Sequence, residues 1–186
     1  TEIIRQKEIS QRAREYLHKP LDLIIKNMGP TVNSKYPDYA PLITSDESML
    51  FFTSRRENST GGKLDPYGKF FEDIYISSQI KGVWQTPIQM EQTINDATHN
   101  ACVGLSPEGN TLILYKTDKT WTAGDLYWSE LDGKSWSEPV LYPKNINTKF
   151  VESSATYTPD GKTLYFSSDK PGGFGGKDLY RVTILP

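Results

Sequence analysis

Apolar and polar residues alternate along most of the chain in short runs set off by Gly, Pro, Asp, Asn and Ser. That period of two marks strands that bury one face. The cleanest run is Thr163 to Ser168, where Leu164 and Phe166 alternate with Thr163, Tyr165 and Ser167. Before it lies the turn Pro159-Asp160-Gly161-Lys162, in which Pro presets φ and Gly supplies a positive φ. Ser154 to Thr158 reads as the strand before that turn. Asp178 to Thr183 reads as the strand after the wide loop Gly172-Gly173-Phe174-Gly175-Gly176. The same patterning predicts upstream strands at Ala40 to Thr44, Met49 to Arg55, Asp73 to Ser77 and Gly82 to Gln85. A further set is predicted at Ala101 to Leu105, Thr111 to Lys116, Gly124 to Ser129 and Ser135 to Ser137. The N-terminus departs from this period. Between Thr1 and Leu17, residues Ile9, Ala13, Tyr16 and Leu17 share one helical face, Glu2 suits the helix dipole, and His18-Lys19-Pro20 ends the run. The face is thin, so this helix (1–20) is expected to pack on something, as the tail of a helical-repeat domain would. LDLIIK then predicts a strand over 21–27, turned by Asn27-Met28-Gly29-Pro30.

The strands recur in register. The hairpin turn appears as Thr44 to Ser48, Ser106 to Asn110 and Thr158 to Lys162, and the third strand opens as Asp73-Ile74-Tyr75, Asp125-Leu126-Tyr127 and Asp178-Leu179-Tyr180. An apolar-Asn pair precedes each copy: Val32-Asn33, Ile94-Asn95 and Ile146-Asn147, each Asn standing 11 residues before its turn. A Gly-Trp-Pro signal follows in two copies, with Trp84 and Trp136 separated by 52 residues. Four strands at a period of about 50 residues are the signature of a β-propeller blade. A small twisted sheet cannot hide both faces alone and must stack on neighbours around an axis. The fold class is therefore all-β, with repeats at about 38–90, 100–142 and 152–186 of a partial propeller spanning 21–186. Rings of this kind use about four to eight blades, so three do not close. Either the chain is half of a longer propeller, or two chains build a six-bladed ring as a homodimer, each lending its first strand.

Composition narrows the function. With 21 basic and 23 acidic residues, a net charge of −2 lacks the basic excess of a nucleic-acid binder. No stretch is long and apolar enough to span a membrane, and no signal peptide is visible. The sequence starts with Thr, as a mature product or an internal fragment would. The single cysteine, Cys102, reads as a small buried apolar residue. Asp73, Asp125 and Asp178 recur once per repeat, as structural acids bonding a turn do. Ser129 to Trp136 resembles the Asp-box of sialidases with its acid shifted by one, but that box marks a fold, not a catalytic centre. No carboxylate pair of the glycosidase kind stands out. His18 and His99 are too few for a metal or triad, and Gly172 to Gly176 is not followed by Lys-Ser/Thr as a phosphate loop is. The chain is thus expected to be no enzyme and to hold no cofactor or metal.

Loops between strands two and three share one face of a propeller. They carry Arg55, Arg56, Lys63, Tyr67 and Phe70, then Trp121 with Lys116 and Lys119, then Asp169, Lys170 and Phe174. The connections entering strand one add Asp38, His99, Asn100 and Glu152. Aromatics with Arg on loops are enriched at protein interfaces. Arg55, Arg56, Lys63, Tyr67, Phe70, Trp121, Asp169, Lys170 and Phe174 are the candidate partner-binding face. The bland alternative is that these aromatics pack between blades.

Leu164 to Ser168 and Gly176 to Tyr180 resemble the WD40-like propeller repeat of TolB. A closer resemblance covers about residues 24–186. Ile25 to Ser34, Thr53-Ser54-Arg55-Arg56, Glu72-Asp73-Ile74-Tyr75 and Ser167 to Gly176 are similar to the propeller segment of OmpA-family outer-membrane proteins of Bacteroidetes. That family includes the PorE component of type IX secretion. The resemblance implies a non-catalytic scaffold in the periplasm, associated with the outer membrane, whose partners are cell-envelope proteins. In that family helical repeats precede the propeller and a peptidoglycan-binding OmpA-like domain follows it. The latter is not within these residues, so peptidoglycan binding is not assigned to them. The alternative reading is a glycan-binding or glycoside-hydrolase-like propeller.

Overall fold

The computed structural model describes residues 2–19, 23–120 and 123–183. Among the described residues one helix, α1 (Glu2–Leu17), precedes thirteen strands. β1 (Asp38–Ile43), β2 (Met49–Ser54) and β3 (Asp73–Ile80) form the first antiparallel sheet, and β4 (Val83–Trp84) and β5 (Ile88–Gln89) both pair with β3. β6 (Asn100–Leu105), β7 (Thr111–Thr117) and β8 (Gly124–Asp132) repeat this, with β9 (Ser135–Trp136) and β10 (Val140–Leu141) on β8. β11 (Ser154–Tyr157), β12 (Thr163–Ser168) and β13 (Asp178–Thr183) form a three-stranded sheet. The registers agree between blades: Thr53 faces Ile74, Tyr115 faces Leu126, and Ser167 faces Leu179.

Three sequence expectations need correction. The Trp dipeptides are not the fourth strands of their blades. β4 and β9 fold back on the last residues of β3 and β8, pairing Gln79 with Trp84 and Leu131 with Trp136. Gly82 and Gly133, at φ +79° and +63°, allow that tight reversal. The fourth strands are β5 and β10, which follow Pro87 and Pro139 and pair Ile76 with Ile88 and Trp128 with Val140. A proline lacks the N–H that would continue the short ladder, so the chain leaves it there and re-enters further along β3 or β8. The strand expected over 21–27 is likewise absent from its described residues, 23–27. Leu23, Ile24 and Ile25 are exposed there, because a strand needs a neighbouring ladder. Leu21 and Asp22 lie outside the described residues. Finally, α1 buries none of its residues; its exposed Glu2 bonds Gln6 within the helix.

The core lies between blades. Phe51 and Ile74 of the first blade meet Cys102, Leu112, Leu114 and Trp136 of the second. Ile113 and Leu126 on the opposite face of the second meet Ala155, Leu164 and Phe166 of the third. Residues one apart on β7 thus serve different joints, as strand alternation requires. Gly104 permits the closest approach: a Cβ there would sit 2.7 Å from the Ala155 carbonyl oxygen.

Each joint also has a buried amide. Asn95 Oδ1 accepts from the Ile74 N–H at 2.8 Å, and its Nδ2 donates to the Ile74 and Met90 carbonyls at 2.9 and 3.1 Å. Asn147 does the same one blade on, accepting from Leu126 N–H at 2.9 Å and donating to the Leu126 and Tyr142 carbonyls at 2.8 and 3.1 Å. The apolar neighbours Ile94 and Ile146 are buried beside them. The apolar-Asn pair is therefore a staple onto the third strand of the blade before it.

Two stability measurements follow. Asn95→Ala leaves the Ile74 N–H and the Met90 carbonyl without partners in a buried joint, while the Ile74 carbonyl keeps the Met90 N–H, and urea titration should show a loss of about 2–4 kcal/mol. Trp136 is 8% exposed, with its ring edge-on to Phe51 at 5.8 Å. Trp136→Ala should cost about 3–5 kcal/mol, and Trp84→Ala clearly less, since Trp84 is half-buried.

Candidate interaction face

The connections from the second to the third strand of each blade, described over residues 55–72, 118–120 with 123, and 169–177, lie at the same end of the stacked sheets. Here the structure separates the sequence candidates into two groups. Arg55 is drawn inward. Its Nε and Nη2 donate to Glu72 Oε1 at 3.1 and 2.7 Å, and its Nη1 donates to Asp65 Oδ2 at 2.6 Å. The Tyr39 hydroxyl donates to the same Glu72 oxygen at 2.6 Å, and His99 Nδ1 pairs with Glu72 Oε2. Phe71 stacks on the His99 ring, with centroids 4.2 Å apart. This cluster joins the first two blades.

Arg56 is also engaged. Its guanidinium lies 5.3 Å from the Phe52 ring centre and 4.8 Å from that of Tyr75, while Nη2 donates to the Val32 carbonyl at 2.6 Å and to Asp38 Oδ1 at 3.2 Å. Lys170 takes the matching place in the third blade, 5.4 Å from Phe166 and 3.8 Å from Tyr180. A cation over paired aromatics is worth more as it is desolvated, so both residues serve the fold. Phe70 is half-buried, edge-on to Tyr36 at 5.7 Å. Asp169 Oδ1 accepts from the Val151 N–H at 2.8 Å. Lys63, Tyr67 and Phe174 stay exposed, Tyr67 at 88% and Phe174 fully so. Trp121 lies outside the described residues.

Asp73 and Asp178 hold their loops as expected of recurring acids. Asp73 Oδ2 accepts from the Thr60 N–H at 2.5 Å, and Asp178 Oδ2 from the Phe174 and Gly175 N–H groups at 3.0 and 3.3 Å. Sequence reasoning missed that Asp38, Asn100 and Glu152 are one recurring position. Asp38 Oδ1 accepts from Ser54 Oγ at 2.6 Å, and Glu152 likewise accepts from the counterpart Ser168. Their common spacing, five residues after the Asn of each apolar-Asn pair, was the available signal.

Among the described residues no group of three or more His, Cys, Asp and Glu side chains is placed to hold a metal ion. Cys102 is buried, and burial pushes its thiol up to about 11, so it stays protonated at neutral pH. At the other end of the sheets, a groove of about 770 Å³ between the first two blades is lined by Met49, Ile76, Ile88, Met90, Leu131 and Trp136. A groove of about 470 Å³ repeats it between the next two.

Comparison with solved structures is consistent with this architecture. The chain superposes on TolB from Acinetobacter baumannii with a TM-score of 0.53 at 18% identity, covering 82% of this chain and 31% of that one. A chain assigned as TolB in Agrobacterium tumefaciens gives 0.50 at 18% identity, covering 76% and 40%. The fold is a TolB-like β-propeller, present in part. The chain spans about a third of the length of these TolB structures, and at this identity the likeness carries the fold alone. No family model matches the chain, and no curated protein does.

The TolB-like frame leaves the acid cluster as its most charged joint. Burial pushes the Glu72 carboxyl up, but hydrogen bonds from His99, Tyr39 and Arg55 outweigh it and hold the group down at about 2. A carboxylate depressed in the folded state contributes stability that is complete above its unfolded value and is lost as pH falls through the folded one. Acidification from about pH 5 to pH 2 should therefore destabilise the native chain more than a Glu72→Gln variant. Thermal unfolding across that range, with the two melting curves converging at the acid end, checks this.

Proposed function

We propose that this chain is a non-catalytic protein-interaction scaffold of the periplasm, associated with the outer membrane as a cell-envelope or type IX secretion component. One observation carries the reading. Arg55, Arg56 and Lys170 are engaged with acids and rings of their own blades, while the tips Tyr67 and Phe174 are exposed at the same end. Large aromatic tips on a rigid frame are what protein interfaces use as anchors. The TolB-like fold and the resemblance to the propeller segment of OmpA-family proteins support the cellular setting. Partner proteins of the envelope are the expected ligands, with the unrepeated loop tips setting which partner is met.

The double variant Tyr67→Ala with Phe174→Ala tests the reading. Neither side chain is buried, so the circular dichroism spectrum and melting temperature should stay unchanged. Crosslinked capture from an envelope extract should fall at least about tenfold, the loss of one anchor's worth of binding energy. Capture unchanged by the double variant, with selective binding on a glycan array, would instead favour a glycan-binding propeller.

A further inference from the structure

The groove between the first two blades, at the end of the sheets remote from the loop tips, holds about 770 Å³, within the ~300–1,000 Å³ of ligand clefts. Met49, Ile76, Met90, Leu131 and Trp136 make its floor, and Ile88 stands at its lip, 67% exposed. Its position recurs one joint on, but its side chains do not. Thr111, Trp128 and Tyr142 take the places of Met49, Ile76 and Met90 in the smaller groove. The lining is therefore not dictated by the repeat.

Two charges stand on opposite walls of the groove, Glu91 on the first blade and Lys134 on the second. Both are exposed, and neither belongs to an ion pair among the described residues. Glu91 Oε1 accepts from the Trp136 N–H at 2.8 Å, which fixes the carboxylate at the groove's edge. The groove also borders an open strand edge. β5 pairs only with β3. The Met90 N–H donates to the Ile74 carbonyl at 3.0 Å, so alternation along the ladder turns the N–H and C=O of Gln89 away from β3, to a side where no described strand pairs.

We propose that this groove binds a short extended peptide segment with apolar side chains, a basic group at one end for Glu91 and an acidic group at the other for Lys134. The segment pairs with Gln89 as an added strand and lays alternate side chains on Met49, Met90 and Trp136. Strand addition draws affinity from the main chain and specificity from such pockets. Two of the three Met in the sequence lie here, and an unbranched thioether adapts to side chains of different shape. An acyl chain would use the same apolar floor, but it brings no cation for Glu91 and no N–H for the Gln89 carbonyl. The site shares no residue with the loop tips, so it adds a second interaction face and does not rest on Tyr67 or Phe174.

NMR titration of the whole chain with an end-blocked Arg-Val-Ile-Phe-Asp peptide tests this. Backbone shifts should concentrate at residues 88–91 and 133–136 and leave the loop tips at 63–69 and 172–176 unmoved. Lys134 is exposed, so Lys134→Glu should keep the wild-type melting temperature while weakening the peptide about two- to fivefold, the worth of one exposed ion pair. A peptide with Arg at both ends should recover that loss on the variant. Ile88→Ser, also at an exposed position, should weaken the first peptide by a similar factor through lost apolar contact. No saturation by the peptide, shifts centred elsewhere, or affinities indifferent to Lys134→Glu for both peptides would overturn the inference. Dodecanoate shifting the groove while the peptide does not would mark an acyl-chain site and overturn it equally.

Discussion

Each blade is joined to the next through a buried side-chain amide that stands in for a strand. The staple Asn presents one acceptor and two donors in a plane. That set fits the N–H and C=O of one third-strand residue and leaves a donor for the carbonyl that ends the fourth strand. Asp would supply no donor, and Gln would place the same atoms one methylene too far out. Because the amide binds backbone, it reads the path of the previous blade and not its side chains. The strands are thereby free to differ, so Phe51, Ile113 and Tyr165 can share one position. In a water-poor joint such bonds are stronger than at the surface, and leaving their partners open is costly.

Burial along the chain follows from which joints are complete. Ile74 and Leu126 are sealed because a blade follows each, and Leu179 is open because none of the described residues covers it. The cations obey the same geometry. Arg56 and Lys170 lie over the aromatic pair that their own blade turns toward the preceding one, Phe52 with Tyr75 and Phe166 with Tyr180. That face is closed by a guanidinium or ammonium from above and by apolar contact from the side. The same preference for desolvated cation and ring explains why Arg56 and Lys170 are structural here.

Strand alternation, the turn residues and the apolar-Asn and Asp markers were legible because each acts over a few residues of sequence. The fourth strands were not. β5 and β10 are two residues long, too short to show a period, and the conspicuous Trp beside each drew the assignment to the hairpin ends. The strand expected from LDLIIK had the right composition, but pairing is decided by a partner strand and not by composition. The loop face was legible in part. Exposed Tyr67 and Phe174 follow from their loop setting. That Arg55 and Arg56 are drawn inward was not legible, because Glu72, Asp65 and Asp38 that hold them come from segments separated by 10 to 18 residues. No local pattern announces those pairs.

The repeated and unrepeated parts of the sequence therefore divide the work. The recurring residues Asn95 and Asn147, Asp73 and Asp178, and Asp38, Asn100 and Glu152 are committed to backbone and neighbouring side chains. A group so committed is poorly suited to meet a substrate or a partner, since moving it would open a joint. What does not recur is the loop between strands two and three, which differs in length and tip from blade to blade on the same frame. Rigid joints below and variable tips above is the arrangement that lets recognition change without cost to folding. On the proposed scaffold reading, specificity would be a property of loop tips held at fixed spacing by the buried amides Asn95 and Asn147.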